Sequence, residues 1–179
     1  ENCQWVQLRI NVGKNDRTNQ EFLLELFTIH QYSNTKYTPL TKLTNEYMSY
    51  NLGLTQCRRC VESRRDYKRL APEIRALCKD HYFKNLSTKH FNTAKHAEEL
   101  EELFVNQGGL CAYTRTKLSL GSTDKMIKGT LDHLTPPKRG GPKDITNVHW
   151  VSSRANTLKQ NMTHSELLSL ATLVFNKFS

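Results

Sequence analysis

LDHLTPPKRGGPKDITNVHWVSSRANTLKQ, Leu131 to Gln160, places Asp132, His133, Asn147, Asn156 and Lys159 within thirty residues. Asp132 offers a hard oxygen donor for a cation such as Mg²⁺, and His133 carries a side chain able to take a proton from water near neutral pH. Asn147 follows His133 by fourteen residues and Asn156 comes nine later, intervals short enough for two strands and a helix to fold back on one another. Such a set suits metal-assisted hydrolysis of a phosphodiester.

The surrounding pattern agrees with that geometry. Gly129 to Leu134 is expected as a first strand, TPPKRGGPKD as a loop, and Ile145 to Ser152 as a second strand. A helix is expected from Ser153, and Asn156 and Lys159, three apart, share one of its faces. In a regular strand Asp132 and His133 point to opposite sides. Both reach one phosphate only at a bulge or a strand end.

On these residues the segment resembles the HNH nucleases, whose ββα-metal fold is shared by phage homing endonucleases, colicin nucleases and some restriction enzymes. The resemblance implies that Asp132 and Asn156 hold a catalytic Mg²⁺ or Mn²⁺ and that His133 is the general base activating water. It makes Asn147 the central Asn that helps to hold the loop and the His, and gives Lys159 a supporting role toward the phosphate or the helix start. The run NVHWVSSRANTLKQNMTHSEL from Asn147 is similar to HNH proteins of phage type, and NQGGLCAY precedes the motif in family order. The similarity covers about Ala97 to Ser179. It implies a DNA endonuclease of homing or free-standing type, with a restriction enzyme as the nearest alternative. From a different class, a zinc-stabilised DNA- or RNA-binding protein with an inactive HNH portion shares the same features.

The chain departs from the family in one place. Many relatives hold a structural zinc with two CxxC pairs bracketing the site, whereas here the stretches read CAYT from Cys111 and SSRA from Ser152. Of the four thiolates only Cys111 is present, so this domain is expected to pack without that zinc. His149, alternating with Val148 and Trp150, either faces DNA or lies on a solvated face, the second being favoured.

The formal net charge of +9, with pI near 9.4, favours polyanionic partners. It is unevenly placed: residues 57–95 hold eleven Lys and Arg against four acidic residues, while residues 1–56 balance five against five. CRRCVESRRDYKRL interleaves Arg58, Arg59, Arg64, Arg65, Lys68 and Arg69 with Tyr67, a pattern suited to phosphate contacts and stacking, or else to a solvated basic helix. Lys138 and Arg139 in the Gly-rich loop are further candidates for nucleic-acid contact. Cys57 and Cys60 form a CxxC, and Cys78 with His81 a CxxH seventeen residues beyond it, a spacing that suits a structural Zn²⁺. Cys3, His90 or His96 are the alternative ligands should Cys78 and His81 sit on a helix.

Five cysteines and an N-terminus without a long apolar core argue against a disulfide framework and a secretory signal, so a reducing cytoplasm, including that of a phage-infected host, is the expected setting. No apolar run approaches the roughly 20 residues that span a bilayer, and no membrane partner is expected. Three regions follow: 1–56, a packing or specificity region; 57–96, a basic, zinc-binding, DNA-contacting segment; and 97–179, the nuclease domain. The fold class is α+β, a C-terminal ββα-metal unit with helical flanks. Outside that unit, Trp5 to Val12 alternates as a strand and Glu21 to His30 reads as a helix with Phe22, Leu23, Leu26, Phe27 and Ile29 on its apolar side. Leu100, Leu103 and Phe104 stripe a helix over Ala97 to Asn106 that Gly108 and Gly109 end. Thr163 and Glu166 form a capping-box pattern before Leu167, Leu170, Ala171, Val174 and Phe178.

Overall fold

Local signals account for most of the elements seen in the structure, a computed structural model that describes residues 17–40 and 79–178. Among these residues the fold is α+β, with helices α1 (Asn19–Tyr32), α2 (Lys79–Phe91), α3 (Ala97–Asn106), α4 (Ser153–Lys159) and α5 (His164–Phe178). Strands β1 (Gly129–His133) and β2 (Val148–Ser152) form one two-stranded antiparallel sheet. The expected strand over Trp5 to Val12 lies outside the described residues.

Helix α1 starts at a reciprocal capping box. The Thr18 hydroxyl accepts from Glu21 N at 3.2 Å and Glu21 Oε2 accepts from Thr18 N at 2.8 Å, satisfying two amides that the first turn leaves free. Its buried Phe22, Leu26 and Ile29 recur at helical spacing and turn toward α5. There Phe175 meets Phe27 edge-on at 5.6 Å and stacks on His30 at 4.3 Å. Helix α5 begins as its sequence predicts: Thr163 N donates to Glu166 Oε2 at 2.8 Å and Glu166 N to Thr163 Oγ1 at 3.2 Å.

Helix α3 ends where two glycines take positive φ, +68° at Gly108 and +67° at Gly109. A side chain at Gly108 would also bring Cβ within 2.5 Å of the Thr38 carbonyl, so both backbone sign and space require glycine there. Helix α2 puts His81 on a helix, the alternative to its pairing with Cys78 in a CxxH, while Cys78 lies outside the described residues. Its sequence, KDHYFKNLSTKHF, has few apolar residues, and it is held by Phe83 and Phe91, eight residues apart and both buried.

The sheet pairs Gly129 with Ser152 and, in unbroken register, His133 with Val148. The second strand starts later than its sequence suggests, because the Asp144 carboxylate accepts from Thr146 N at 2.9 Å and turns Ile145–Asn147 into a 3₁₀ segment. Trp150 is the centre of the core, fully buried, edge-on to Phe104 at 5.4 Å and to Phe83 at 6.1 Å. On the open edge of β2 the Gln107 carboxamide stands in for a third strand: Oε1 accepts from Trp150 N at 2.8 Å and Nε2 donates to Trp150 O at 3.0 Å. No helix among the described residues is long and apolar enough to cross a membrane.

Trp150→Ala is expected to destabilise the fold by about 3–5 kcal/mol, the usual cost of emptying a large aromatic site. Urea unfolding followed by circular dichroism measures it, and a loss under about 1 kcal/mol would show that the core is centred elsewhere.

Candidate active site at the end of strand β1

The loop between the two strands is closed by one side chain. Asn147 is buried, and its carboxamide donates to Thr135 O at 2.8 Å and Pro142 O at 2.7 Å while accepting from Thr135 N at 2.9 Å. Two carbonyl acceptors facing the amide nitrogen leave no ambiguity in its orientation. Leu134 N donates to Asn147 O at 2.8 Å, which extends the ladder by one bond. Gly140 turns at φ 83°, and a Cβ on Gly141 would fall 1.9 Å from Thr135 O, so the loop doubles back as closely as backbones allow. Asn147 thus holds the loop, and its side-chain hydrogen bonds go to backbone rather than to the His133 ring.

Helix α4 docks on both strands. Its N-cap is Ser152, whose hydroxyl accepts from Ala155 N at 3.1 Å. From its last turn Lys159, fully buried, donates to Asp132 Oδ1 at 3.1 Å and to His133 O at 2.7 Å. With its ammonium enclosed there, Lys159 supports the strand end and does not face solvent. Across the ladder from Asp132 stands His149, whose Nε2 makes a long contact of 3.4 Å with Oδ2. His149 is buried, not solvated, because Tyr113 covers it edge-on at 4.9 Å and His164 lies 5.6 Å away. Burial pushes the Tyr113 phenol well above its ordinary range and holds His164 below its own.

His133 occupies the other face. The register carries no bulge, so Asp132 and His133 diverge as strand alternation requires, and β1 stops at His133. The backbone at the strand end joins the two residues, but Asp132 turns into the buried polar set of Lys159 and His149 while His133 turns to the other face. His133 is half-buried, and its Nε2 is buried without a hydrogen-bond partner among the described residues. Burial holds the imidazole below its ordinary pKa, with Asp132 opposing that shift and Lys159, Lys143 and His149 adding to it. A neutral imidazole with a free acceptor nitrogen is the state that a general base needs. The rings of His133 and His90, the latter from α2, lie 5.6 Å apart.

Asn156 sits one turn before Lys159, half-buried. Its amide nitrogen donates to Thr130 Oγ1 at 2.9 Å and Leu131 O at 3.3 Å. That leaves the amide oxygen without a donor among the described residues. Asp132 and Asn156 therefore supply one carboxylate and one amide oxygen, hard donors from adjoining elements. Oxygen donors of this kind suit Mg²⁺, which is commonly held by one or two carboxylates together with waters and substrate phosphates, and a cation bound by Asp132 would displace the Lys159 or His149 contact that now engages each of its oxygens. Among the described residues no group of three or more His, Cys, Asp or Glu forms a fuller protein cage.

The remaining candidates are dispersed. Lys138 and Arg139 lie exposed on the 3₁₀ turn Pro137–Arg139, Arg139 paired with Glu166 and donating to Asn161 O at 3.3 Å. His81 belongs to α2, while Cys57, Cys60, Cys78, Arg58, Arg59, Arg64, Arg65, Lys68 and Arg69 lie outside the described residues. Cys111 is buried and its Sγ accepts from Ser152 N at 3.3 Å, so the CAYT and SSRA stretches do meet. Sequence reasoning missed two neighbours of His133: His90, and Lys143, an exposed cation in the loop. Lys143 follows Pro142, whose carbonyl Asn147 holds, a contact that only the folded loop makes.

Asn147→Ala is expected to lower stability by about 2 kcal/mol, because it removes three hydrogen bonds to part-buried backbone groups, each worth about 0.5–1.5 kcal/mol net. Amide exchange at Thr135 should accelerate in step; unchanged exchange there would mean that the loop is held by other contacts. Lys159→Met, which leaves Asp132 buried without its cation, is expected to cost about 3–5 kcal/mol. Combined with Asp132→Asn it should cost clearly less than the sum, and strict additivity in chemical denaturation would deny the coupling.

Comparison of the chain with protein-family models, with curated proteins and with solved structures finds no match.

Proposed function

We propose that the chain is an HNH endonuclease of ββα-metal type that hydrolyses DNA phosphodiester bonds. The observation that carries this reading is His133: a buried Nε2 without a partner among the described residues, on an imidazole whose pKa burial lowers, at the end of a strand whose preceding residue is a carboxylate. Around it the ordered set falls on the first strand (Asp132, His133), on the 3₁₀ turn that precedes the second strand (Asn147) and on the helix that follows it (Asn156, Lys159). The net charge of +9 supports a polyanionic substrate.

In this mechanism His133 Nε2 takes a proton from the water that attacks phosphorus. Asn147 keeps the loop closed over the strand end. Lys159 positions Asp132 and, through the carbonyl of His133, the backbone that carries the base. Asp132 and Asn156 would hold a divalent cation such as Mg²⁺ or Mn²⁺, which stabilises negative charge developing on the leaving 3′ oxygen. The products implied by the family resemblance carry a 5′ phosphate and a 3′ hydroxyl. One such site cuts one strand at a time, so a monomer nicks and double-strand cleavage takes a dimer or two events. Within the family the phage homing or free-standing type fits better than a restriction enzyme, on the similarity of the run from Asn147.

The test is conversion of supercoiled plasmid to open-circular and linear forms with Mg²⁺ or Mn²⁺. His133→Ala is expected to slow cutting by roughly 10²–10⁴-fold, the usual worth of a general base, with DNA affinity nearly unchanged. Chelator should abolish cutting. Retained activity in the variant removes His133 from its role. A wild-type chain that binds nucleic acid but cuts neither DNA nor RNA is instead a zinc-stabilised binding protein, and elemental analysis for zinc with Cys57→Ser then tests that reading.

A further inference from the structure

Helix α2 lies outside the ββα unit, yet its last turn reaches the candidate base. The His90 ring centroid is 5.6 Å from that of His133, with the planes inclined by 37°. The helix is fixed in that position by its own packing. Phe83 meets Trp150 edge-on at 6.1 Å, Phe91 is buried, and Ser87 Oγ donates to Thr93 O at 2.5 Å where the chain turns at Asn92, φ 59°. Because His133 Nε2 has no partner among the described residues, that nitrogen is not spent on His90. One water bonded at about 2.8 Å to a nitrogen of each ring can bridge such a spacing.

We propose that His90 is a further catalytic residue: its imidazole holds the attacking water against Nε2 of His133, so that two imidazoles from different elements frame the nucleophile. This rests on the nuclease reading above. Burial holds His90 down to about 4, with His133 and Lys89 adding to the effect and Asp132 opposing it, so near neutral pH it is uncharged. An uncharged imidazole has one donor and one acceptor nitrogen, which suits it to orient water, and a pKa held that low leaves it a poor proton acceptor. The water oxygen forms the new bond to phosphorus as the bond to the 3′ oxygen breaks. The water proton passes to His133, the bonding pair leaves on the 3′ oxygen, which takes a proton from solvent, and His90 neither gains nor loses one. The role explains why a helix outside the motif ends against the base.

The experiment compares His90→Phe, His90→Gln and His133→Ala with the wild-type full chain in steady-state plasmid nicking with Mg²⁺. Phe keeps a ring against His133 but cannot hydrogen-bond; Gln keeps a donor and an acceptor. His90→Phe is expected to lose about 10²-fold in kcat, the scale of a misplaced nucleophile, at unchanged KM and melting temperature. His90→Gln should retain clearly more of the kcat than His90→Phe. Wild-type turnover in His90→Phe, or equal losses in both variants accompanied by a lowered melting temperature, overturns the proposal and reduces His90 to packing. Should His90→Phe not fold, His90→Ala decides: recovery of kcat on adding imidazole supports the role and no recovery overturns it. Failure of the wild type to cut any substrate overturns the nuclease reading and this inference together. A His133-dependent wild type with an indifferent His90 overturns this inference alone.

Discussion

The ion pair between Lys159 and Asp132 is the constraint on which the candidate site depends. An ammonium with no exposed surface and a nearly buried carboxylate have both left water, at a cost of several kcal/mol per ion that their attraction offsets only with close geometry and further hydrogen bonds. Lys159 meets that condition by also donating to His133 O, so one nitrogen ties the last turn of α4 to two consecutive residues of β1. With that turn docked, Asn156 comes to rest against Thr130 and Leu131. The pair is better understood as setting position than as adding stability, since a well-packed apolar pair would serve stability equally.

The two faces of β1 divide the chemistry. On one face Asp132 lies within a buried polar set of Lys159 and His149, with Tyr113 and His164 beyond. On the other His133 is left with an unpartnered nitrogen against α2. Strand alternation enforces this separation, and the strand ends at His133, where the loop pinned by Asn147 begins. The arrangement resembles a hinge-free bracket: Asn147 satisfies three backbone groups, and Gly141 permits a backbone approach that any side chain would prevent.

Much of the unit was legible because its determinants are local. Asp132 to Lys159 spans few enough residues that strand, turn and helix signals leave one way to fold back, and Thr163 with Glu166 announces the start of α5 through a contact three residues long. Alternation correctly separated Asp132 from His133, yet it could not say what would cover His149. That depends on Tyr113 and His164, which reach it from other parts of the chain. Lys159 is the same case: its helical phase was readable, but its burial depends on which residue of β1 lies beneath it.

The sequence by itself determined the order of the site residues, the period of the elements that carry them and the basic character that favours a polyanion, since spacing, capping and charge are properties of neighbouring residues. Only the tertiary structure decided that Lys159 is sealed against Asp132, that Gln107 completes the edge of β2, and that α2 brings His90 to His133. Those contacts join residues far apart in the chain through the packing of Phe83, Phe104 and Trp150, and shape complementarity in a core leaves no periodic trace in sequence.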